Sequence, residues 1–324
     1  MRYIDNTAID PYFNLAAEEY LLKHTAEEYF MLWRDEPCII VGKNQNTLSE
    51  INLDYVKDNH IKVVRRLTGG GAVFHDLGNL NFTFIVNDNE SFNDFYKFVE
   101  PIIGVLKELG VEAKFSGRND LLIEDKKFSG NAQCKHKKRV MHHGTLLFSS
   151  NMADLTGALK VKDIKFSDKS VKSIASRVTN ISNHLKNPLT VLEFKDNIFK
   201  YIMKEEGKKV ESFTEEEIEI INKLKEEKYS TWQWNFGHSP KYNFYNEKKF
   251  LGGMVEVNME VIRGVVEEIK IYGDFFGKQD IEDLEKLLKG KNHNLEDISQ
   301  TLEEFDLDSY MSNISKENLV EALF

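Results

Sequence analysis

Two cysteines in 324 residues, Cys38 and Cys134, are too few for a disulfide framework. No apolar run reaches the roughly 20 residues that a membrane-spanning helix needs. The opening stretch, MRYIDNTAID, lacks the basic-then-apolar plan of a signal peptide. Positive charge is in deficit, because 43 Lys and Arg stand against 53 Asp and Glu, for a net charge of −10. A nucleic-acid binder would carry a basic balance or a concentrated basic face. The one dense basic run, CKHKKR at Cys134–Arg139, is short. No repeat of fixed period is present. A reduced, cytoplasmic enzyme or binding protein is the expectation. Hydrophobic residues make up 41% of the chain, enough for a substantial core.

What is there reads as a mixed chain of strands and helices. NLAAEEYLLKHT follows Asp10-Pro11 and predicts a helix, with Leu15, Tyr20 and Leu22 on its apolar face and Glu18 and Glu19 outside it. YFMLWRDEPCIIVGKNQN predicts two strands broken at Asp35-Glu36-Pro37. NLDYVKDNH predicts a short helix, and IKVVRRL and AVFHD predict strands on either side of Gly69-Gly70-Gly71. LNFTFIV alternates as a strand, and FNDFYKFVEPIIGVLKELG predicts a helix ending at Gly110. RNDLLIEDKKFSGNAQ predicts a hairpin turning at Glu124-Asp125-Lys126, RVMHHGTLLFS another strand, and Met152–Lys228 several helices. Near Trp232 the composition shifts. WQWNFGHSPKYNF is aromatic and poor in helix signals, and the tail beyond it has strands, helices and apolar faces of its own. The expected fold is α+β, with a large domain over 1–235 and a small α+β domain over 236–324.

The stretch that points to chemistry is RRLTGGGAVFHDLGN. Glycine tolerates positive φ and lets other atoms approach the main chain, so three in a row form a candidate anion cradle. Arg65 and Arg66 add charge, and a guanidinium holds carboxylate or phosphate bidentately. No Lys-Ser/Thr follows and no helix opens there, so this is not a P-loop. Read alone, three glycines are more often just a tight hairpin turn or bulge, and the flanking arginines and HDLGN bring the two readings level.

RRLTGGGAVFHDLGNLNFTF resembles the signature of lipoate–protein ligases, in the superfamily that also holds biotin ligases and lipoyl/octanoyl transferases. DPYFNLAAEEYLL is similar to the family's first helix, and LWRDEPCIIVGKNQN to the strand pair before the signature. GRNDLLIEDKKFSGNAQ and HHGTLLF resemble its later motifs, and FGHSPKYNF through IYGDFFGKQDIEDLEKLL resembles the C-terminal domain of the two-domain ligases. The resemblance implies a large catalytic domain of mixed β-sheets flanked by helices. It implies an adenylate-forming, ATP- and Mg²⁺-dependent enzyme that converts lipoate to lipoyl-AMP. The lipoyl group then passes to a lysine of lipoyl domains, in 2-oxoacid dehydrogenase acyltransferase subunits or the glycine cleavage H protein. No nucleic acid or membrane is implied.

The resemblance also assigns residues. Gly69, Gly70 and Gly71 become the ridge at the acyl-phosphate, with the main chain of Ala72, Val73 and Phe74 against adenine. Arg66 matches the arginine beside the carboxylate or phosphate. Lys127 matches the lysine of the family's K-x-S-G motif, here KFSG, and is the expected catalytic residue. From spacing alone nothing separates it from Lys126. Thr68 keeps a hydroxyl where the family often has serine, and His75 and His143 match histidines near the acyl pocket. Trp33 and Leu15 line the acyl tunnel or simply pack in the core. Asn119 and Asp120 face the nucleotide, with Asp120 a candidate for Mg²⁺, or form an Asx turn. His142 and His143 point to opposite faces of a strand, which argues against a shared metal. The basic run Lys135–Arg139 is a solvated loop or a dock for an acidic carrier.

Three rivals remain at this level. A transferase of the same fold would work through a cysteine thioester, and Cys134 lies just after SGNAQ. A non-catalytic cofactor- or carrier-binding protein would not need Lys127. A biotin ligase would carry a different glycine-rich motif.

Overall fold

The structure is a computed structural model that describes every residue except 46, 89, 118, 160–176, 204–207, 237–243, 263 and 294. Part of the predicted helical region between Met152 and Lys228, and His238 of the aromatic stretch, therefore lie outside the described residues. The chain divides into two compact units. The first comprises Met1–Ile40, Leu48–Arg65 and Val73–Asn235, and the second Val41–Thr47, Arg66–Ala72 and Phe236–Phe324.

In the first unit the elements run β1 (Arg2–Asp5), α1 (Pro11–Lys23), β2 (Tyr29–Trp33), β3 (Cys38–Val41), α2 (Thr47–Glu50), α3 (Leu53–Asp58) and β4 (Lys62–Arg65). Then come β5 (Val73–His75), β6 (Asn79–Val86), α4 (Phe95–Glu108), β7 (Lys114–Ser116), β8 (Asp120–Ile123), β9 (Lys126–His136) and β10 (Arg139–Leu147). They are followed by α5 (Met152–Ala158), α6 (Val191–Ile202), β11 (Val210–Glu211), α7 (Glu215–Leu224) and α8 (Trp232–Asn235). The short α8 falls where the sequence reads as poor in helix signals. An eight-stranded sheet has the order β11-β1-β2-β6-β10-β9-β8-β7, and a three-stranded sheet the order β4-β3-β5. The strands flanking the glycines are thus not a hairpin, because β3 lies between them.

The large sheet is two-faced. Phe30, Leu32, Leu80, Phe82 and Phe84 point into a core closed by Phe98, Ile102 and Leu106 of α4 and Phe194, Ile198 and Phe199 of α6. Along β6 the alternate residues Asn79, Asn81 and Thr83 must face the other way, as strand geometry requires. Helix α1 lies against that second face, through the contacts of Glu18 given below. Its start is fixed by Asp10, whose side chain accepts from Tyr12 N, and by Pro11 in its first turn. Its end is held by Arg139, which donates through Nη1 to the carbonyls of Leu21, Leu22 and Thr25 at 2.7, 2.8 and 2.6 Å. The last residue of the basic run is therefore a buried clamp and not part of a solvated loop.

The second unit is built on an antiparallel sheet of β12 (Phe244–Phe250), β13 (Gly253–Ile262) and β14 (Val265–Gly273). Helices α9 (Glu282–Leu288), α10 (Leu295–Glu303) and α11 (Lys316–Leu323) cover it, over a core that includes Val257, Ile271, Phe275, Leu284, Leu302 and Leu319. Each unit mixes strands and helices, so the α+β class holds in both.

Candidate active site

On its second face the large sheet carries a buried polar network. Trp33 Nε1 donates to Thr83 Oγ1 at 2.9 Å, and that hydroxyl donates to Glu18 Oε1 at 2.6 Å. The Glu18 carboxylate oxygens lie 2.9 and 3.0 Å from His143 Nδ1. The Trp33 ring also meets His75 edge-on, with centroids 6.2 Å apart. Leu15 is buried one helical turn before Glu18. The side chains expected to line the acyl tail, Leu15, Trp33, His75 and His143, therefore belong to one neighbourhood.

Both glutamates expected outside the helix face are buried, Glu18 at 1% and Glu19 at 5% exposure. Each finds partners from distant sequence. Glu19 accepts from Lys23, Lys228 and the Tyr229 hydroxyl at 2.9, 2.7 and 2.5 Å. Burial works against its charge, but Lys228 and Tyr229 outweigh burial and hold the carboxyl below its ordinary range. Glu18 and Thr83 join the candidate residues in this network, and the sequence reading missed both. A signal existed for Glu18, since Leu15, Glu18 and Leu22 follow i, i+3, i+7 spacing on one helix face.

Lys127 lies further along the same face. The β8–β9 hairpin turns through Glu124 and Asp125, both at positive φ (49° and 61°), as the turn position predicts. A register shift at Leu121/Leu122 follows in the β8–β9 ladder. The main chain of Lys127 is gripped separately, its N–H donating to Arg177 O at 2.8 Å and its C=O accepting from Thr179 N at 2.9 Å. Its ammonium meets Asp120 Oδ1 at 2.8 Å, with both side chains about two-fifths exposed (40% and 36%). A methyl group added at Gly130 would lie 3.1 Å from Nζ, so the bare glycine gives the lysine its seat. Lys126 is exposed in the turn, which separates the two lysines physically. Gly130 N donates to Thr145 Oγ1, and Thr145 opposes Asn81 on β6, so Lys127 and the tail neighbourhood share one sheet face.

The glycine segment belongs to the second unit. Arg66 does not point outward. Its Nε donates to Thr68 Oγ1 at 2.9 Å, and its Nη2 donates to the carbonyls of Gly69 and Gly71, each at 2.8 Å. The guanidinium thus braces the glycine turn from inside, where the turn bends through Gly70 at φ 96°. Gly69 packs tightly, since a methyl group there would come 2.4 Å from Phe275 O. Beside it, Lys43 N donates to Thr68 O at 2.8 Å and Gly273 N to Asn44 O at 2.5 Å. Arg65, the other arginine of the pair, is equally committed. In the first unit its N–H donates to Asn235 Oδ1 at 2.9 Å and its Nε to Trp234 O at 3.0 Å.

The remaining candidates are placed as follows. Val73 and Phe74 pair with Ile40 and Ile39 in the ladder to β3. Among the described residues strand β5 is the last in its sheet, so its outer main-chain groups pair with no further strand there. Asn119 Nδ2 donates to Asn131 O at 2.7 Å, tying β8 to β9. His142 faces the core and His143 the polar network, as alternation predicts. Asp35, which the sequence reading took only as a strand breaker, is fully buried. It bonds His75 Nδ1 at 2.8 Å, and burial pushes its carboxyl up while His75 and Asn14 oppose the shift. Among the described residues, one group of three potential metal ligands stands out, Asp35, Cys38 and His75, with ligand atoms within 4.8 Å of one another. No helix among the described residues is long and apolar enough to cross a membrane.

Comparison with known proteins shows the family of the chain. Residues 10–203 match the family model of the lipoyl protein ligase A/B catalytic domain, and residues 239–323 that of the bacterial lipoate protein ligase C-terminus. The chain is 46% identical to lipoate–protein ligase 1 of Staphylococcus aureus over 327 residues, covering 100% of both. Its fold is similar to the crystal structure of P. falciparum LipL1 in complex with lipoate, with a TM-score of 0.80 and 28% identity, over 99% of this chain and 97% of that one. It is also similar to a lipoate–protein ligase A bound with ATP, with a TM-score of 0.64 and 26% identity, over 73% of this chain and 98% of that one. A lysine seated over a glycine, a buried polar network on the same sheet face and an arginine-braced glycine turn thus occur in a chain that belongs to the lipoate–protein ligase family.

Proposed function

We propose that this chain activates lipoate with ATP, forming lipoyl-AMP and pyrophosphate, and then passes the lipoyl group to a lysine of a carrier domain. The observation that carries this reading is the Lys127 ammonium, held by Asp120 over Gly130 on the sheet face that also bears the buried network. In the first step a carboxylate oxygen of lipoate attacks the α-phosphorus, and the bond to the departing pyrophosphate breaks. Two anions meet, and negative charge builds on the phosphate oxygens. A cation already in position stabilises that charge without reorganising at the moment of reaction. Lys127 can exchange Asp120 for the incoming anions. Mg²⁺, when bound, neutralises phosphate charge. It is usually held by one or two carboxylates together with substrate phosphates, and Asp120 fits that role.

Arg66 serves this chemistry through the turn it braces. Its bonds to the Gly69 and Gly71 carbonyls, with Thr68 as their buried partner, fix the main-chain ridge that receives the acyl-phosphate. The main chain of Ala72, Val73 and Phe74 suits adenine, because an edge strand keeps donors and acceptors for a flat heterocycle. Asn119, whose side chain donates to Asn131 O, is read as facing the nucleotide. Leu15, Trp33, His75 and His143 hold the acyl tail. In the second step the carrier amine attacks the acyl carbonyl and AMP leaves. The fitting carriers are lipoyl domains of 2-oxoacid dehydrogenase acyltransferase subunits and the glycine cleavage H protein, with Lys135, Lys137 and Lys138 available to meet an acidic carrier.

A thioester route is the weaker reading. Cys134 lies four residues along β9 from Gly130, roughly 13 Å at strand spacing. Cys38 is buried, and burial beside Asp35 pushes its thiol well above the ordinary range.

The deciding experiment incubates the protein with ATP, Mg²⁺ and lipoate and looks for lipoyl-AMP by mass spectrometry. Its absence would sink the reading. We further read residues 1–235 as the catalytic domain and 236–324 as an accessory domain needed for activation. A chain ending at Asn235 should lose adenylate synthesis, because the glycine turn loses its packing partner Phe275. It should still transfer from preformed lipoyl-AMP, because Lys127 and the tail network remain. Adenylation at the full rate by the truncated chain would refute the role of the tail.

A further inference from the structure

We propose that Asn180 is a positioning residue for the adenylation step, because it anchors the strap that fixes the main chain of Lys127. The inference rests on the reading of Lys127 as the cation that meets the acyl and phosphate anions. Strand β9 pairs with β10 only from Asn131 to His136, so Lys126–Gly130 run beyond that ladder. On their other side stands β8, with Leu122 opposite Lys127. Main-chain donors and acceptors inside a fold have to be paired. At Lys127 a segment far along the chain takes the place that β10 has left. Val178 forms a parallel bridge with Lys127, and its neighbours Arg177 and Thr179 supply the two hydrogen bonds.

A two-bond clasp from an irregular segment places a lysine only if that segment is itself fixed. Asn180 fixes it with both ends of its amide. Its Nδ2 donates to Ser150 O and its Oδ1 accepts from Ser150 N, each at 3.0 Å. The side chain thus reproduces the pair of bonds that a neighbouring strand would give. Ser182 N adds a bond to Phe148 O at 3.0 Å, and Ile181, between Asn180 and Ser182, is fully buried in the core. The Phe148–Asn151 stretch is held in turn by the HDLGN segment. Phe148 N and Ser149 N both donate to Gly78 O, at 3.1 and 2.9 Å. Asp76 accepts from Gly78 N at 2.9 Å and from Asn151 N at 2.7 Å. A methyl group at Gly78 would come 2.3 Å from Ser149 O, so only glycine allows that approach. HDLGN therefore supports the lysine from a distance, through Ser150 and Asn180. Lys127 touches the reacting anions, and Asn180 acts only through it.

The test is a double-mutant cycle on lipoyl-AMP formation, with kcat and the KM for lipoate measured for each protein. Asn180→Ala removes both bonds to Ser150. It should lower kcat about ten-fold, the scale of a small misplacement of a catalytic group, and change KM by less than about two-fold. In the Lys127→Ala background the same substitution should lower the rate by less than about two-fold, because no ammonium is left to misplace. In Lys126→Ala it should keep its full effect. A general structural role would lower the rate equally in both backgrounds, and that outcome overturns the inference. So does a folded Asn180→Ala that retains the wild-type kcat, or one whose loss lies in KM alone. Should Asn180→Ala fail to fold, Asn180→Asp runs the same cycle with a smaller loss, since its carboxylate still accepts from Ser150 N. A wild type that forms no lipoyl-AMP refutes the proposed function, and full activity in Lys127→Ala refutes the role of that lysine. Both are read before Asn180 is changed, so they are told apart from a failure of the inference itself.

Discussion

His142 and His143 are neighbours on β10, and the two faces of the sheet give them different chemistry. His142 stacks on Phe98 with centroids 4.8 Å apart, lies against Phe82, and meets Gln133 and Asn131 at 3.0 and 3.2 Å. Burial, with a smaller contribution from the neighbouring His143, drives its imidazole well below the ordinary value of 6.5. His143 turns instead to Glu18, and through it to Thr83 and Trp33. One face sets a short chain of polar groups, Gln133, His142 and Asn131, within an aromatic core. The other links Trp33, Thr83, Glu18 and His143, and the same face bears Lys127 over a bare glycine. A single strand thus separates an aromatic core from the polar network of the candidate site. Changes on the two faces should be separable in experiment.

The sharpest break should come at the lysine. Lys127→Ala should lower the rate of adenylate formation by about 10²–10³, the usual loss when one preorganised donor is removed from developing charge. Lys126→Ala should leave most of the rate, because that side chain stands in solvent. Pyrophosphate release measured on both variants checks the contrast, and equal losses would mean that the seat over Gly130 does not matter. Melting temperatures should barely move in either variant.

The core face should answer to pH. The folded state holds His142 deprotonated, so below about 6.5 the unfolded chain binds a proton more readily than the folded one. Stability then falls as pH drops, by up to about 1.4 kcal/mol per pH unit from this group. His142→Phe should remove that part of the slope, read from denaturant unfolding at pH 7.5 and 5.5. An unchanged slope would show that His142 does not titrate on unfolding. The smallest effect is expected at Cys134→Ser, since an acyl-adenylate needs no thiol. A variant that folds but loses lipoyl transfer would move the reading to the thioester route.

Much of this was legible in the sequence, and the exceptions share a cause. Strand alternation in LNFTFIV and RVMHHGTLLFS assigned both faces of the sheet, and the Glu124-Asp125 turn fell where it was expected. Lys127 was legible only through its family motif, because spacing alone does not distinguish it from Lys126. The errors lie where a partner far along the chain decides the outcome. Glu18 is buried because Thr83, 65 residues away, donates to it. Arg65 and Arg66 read as one pair of anion-binding charges, yet one holds the carbonyls of Trp234 and Asn235 and the other those of Gly69 and Gly71. Periodicity reports which face a residue occupies. It carries no information on which distant donor will meet it there.

The division of the chain has a consequence for any attempt to express it in pieces. The second unit is not encoded as one stretch, because its fold takes in Val41–Thr47 and Arg66–Ala72 as well as Phe236–Phe324. Two genes cut at 235/236 would yield a tail lacking two of its own segments, and a larger fragment carrying those segments without their sheet. Co-expressed halves would have to complement each other by reassembly. An insertion or shuffling event at that junction would be filtered for fragments that still find one another.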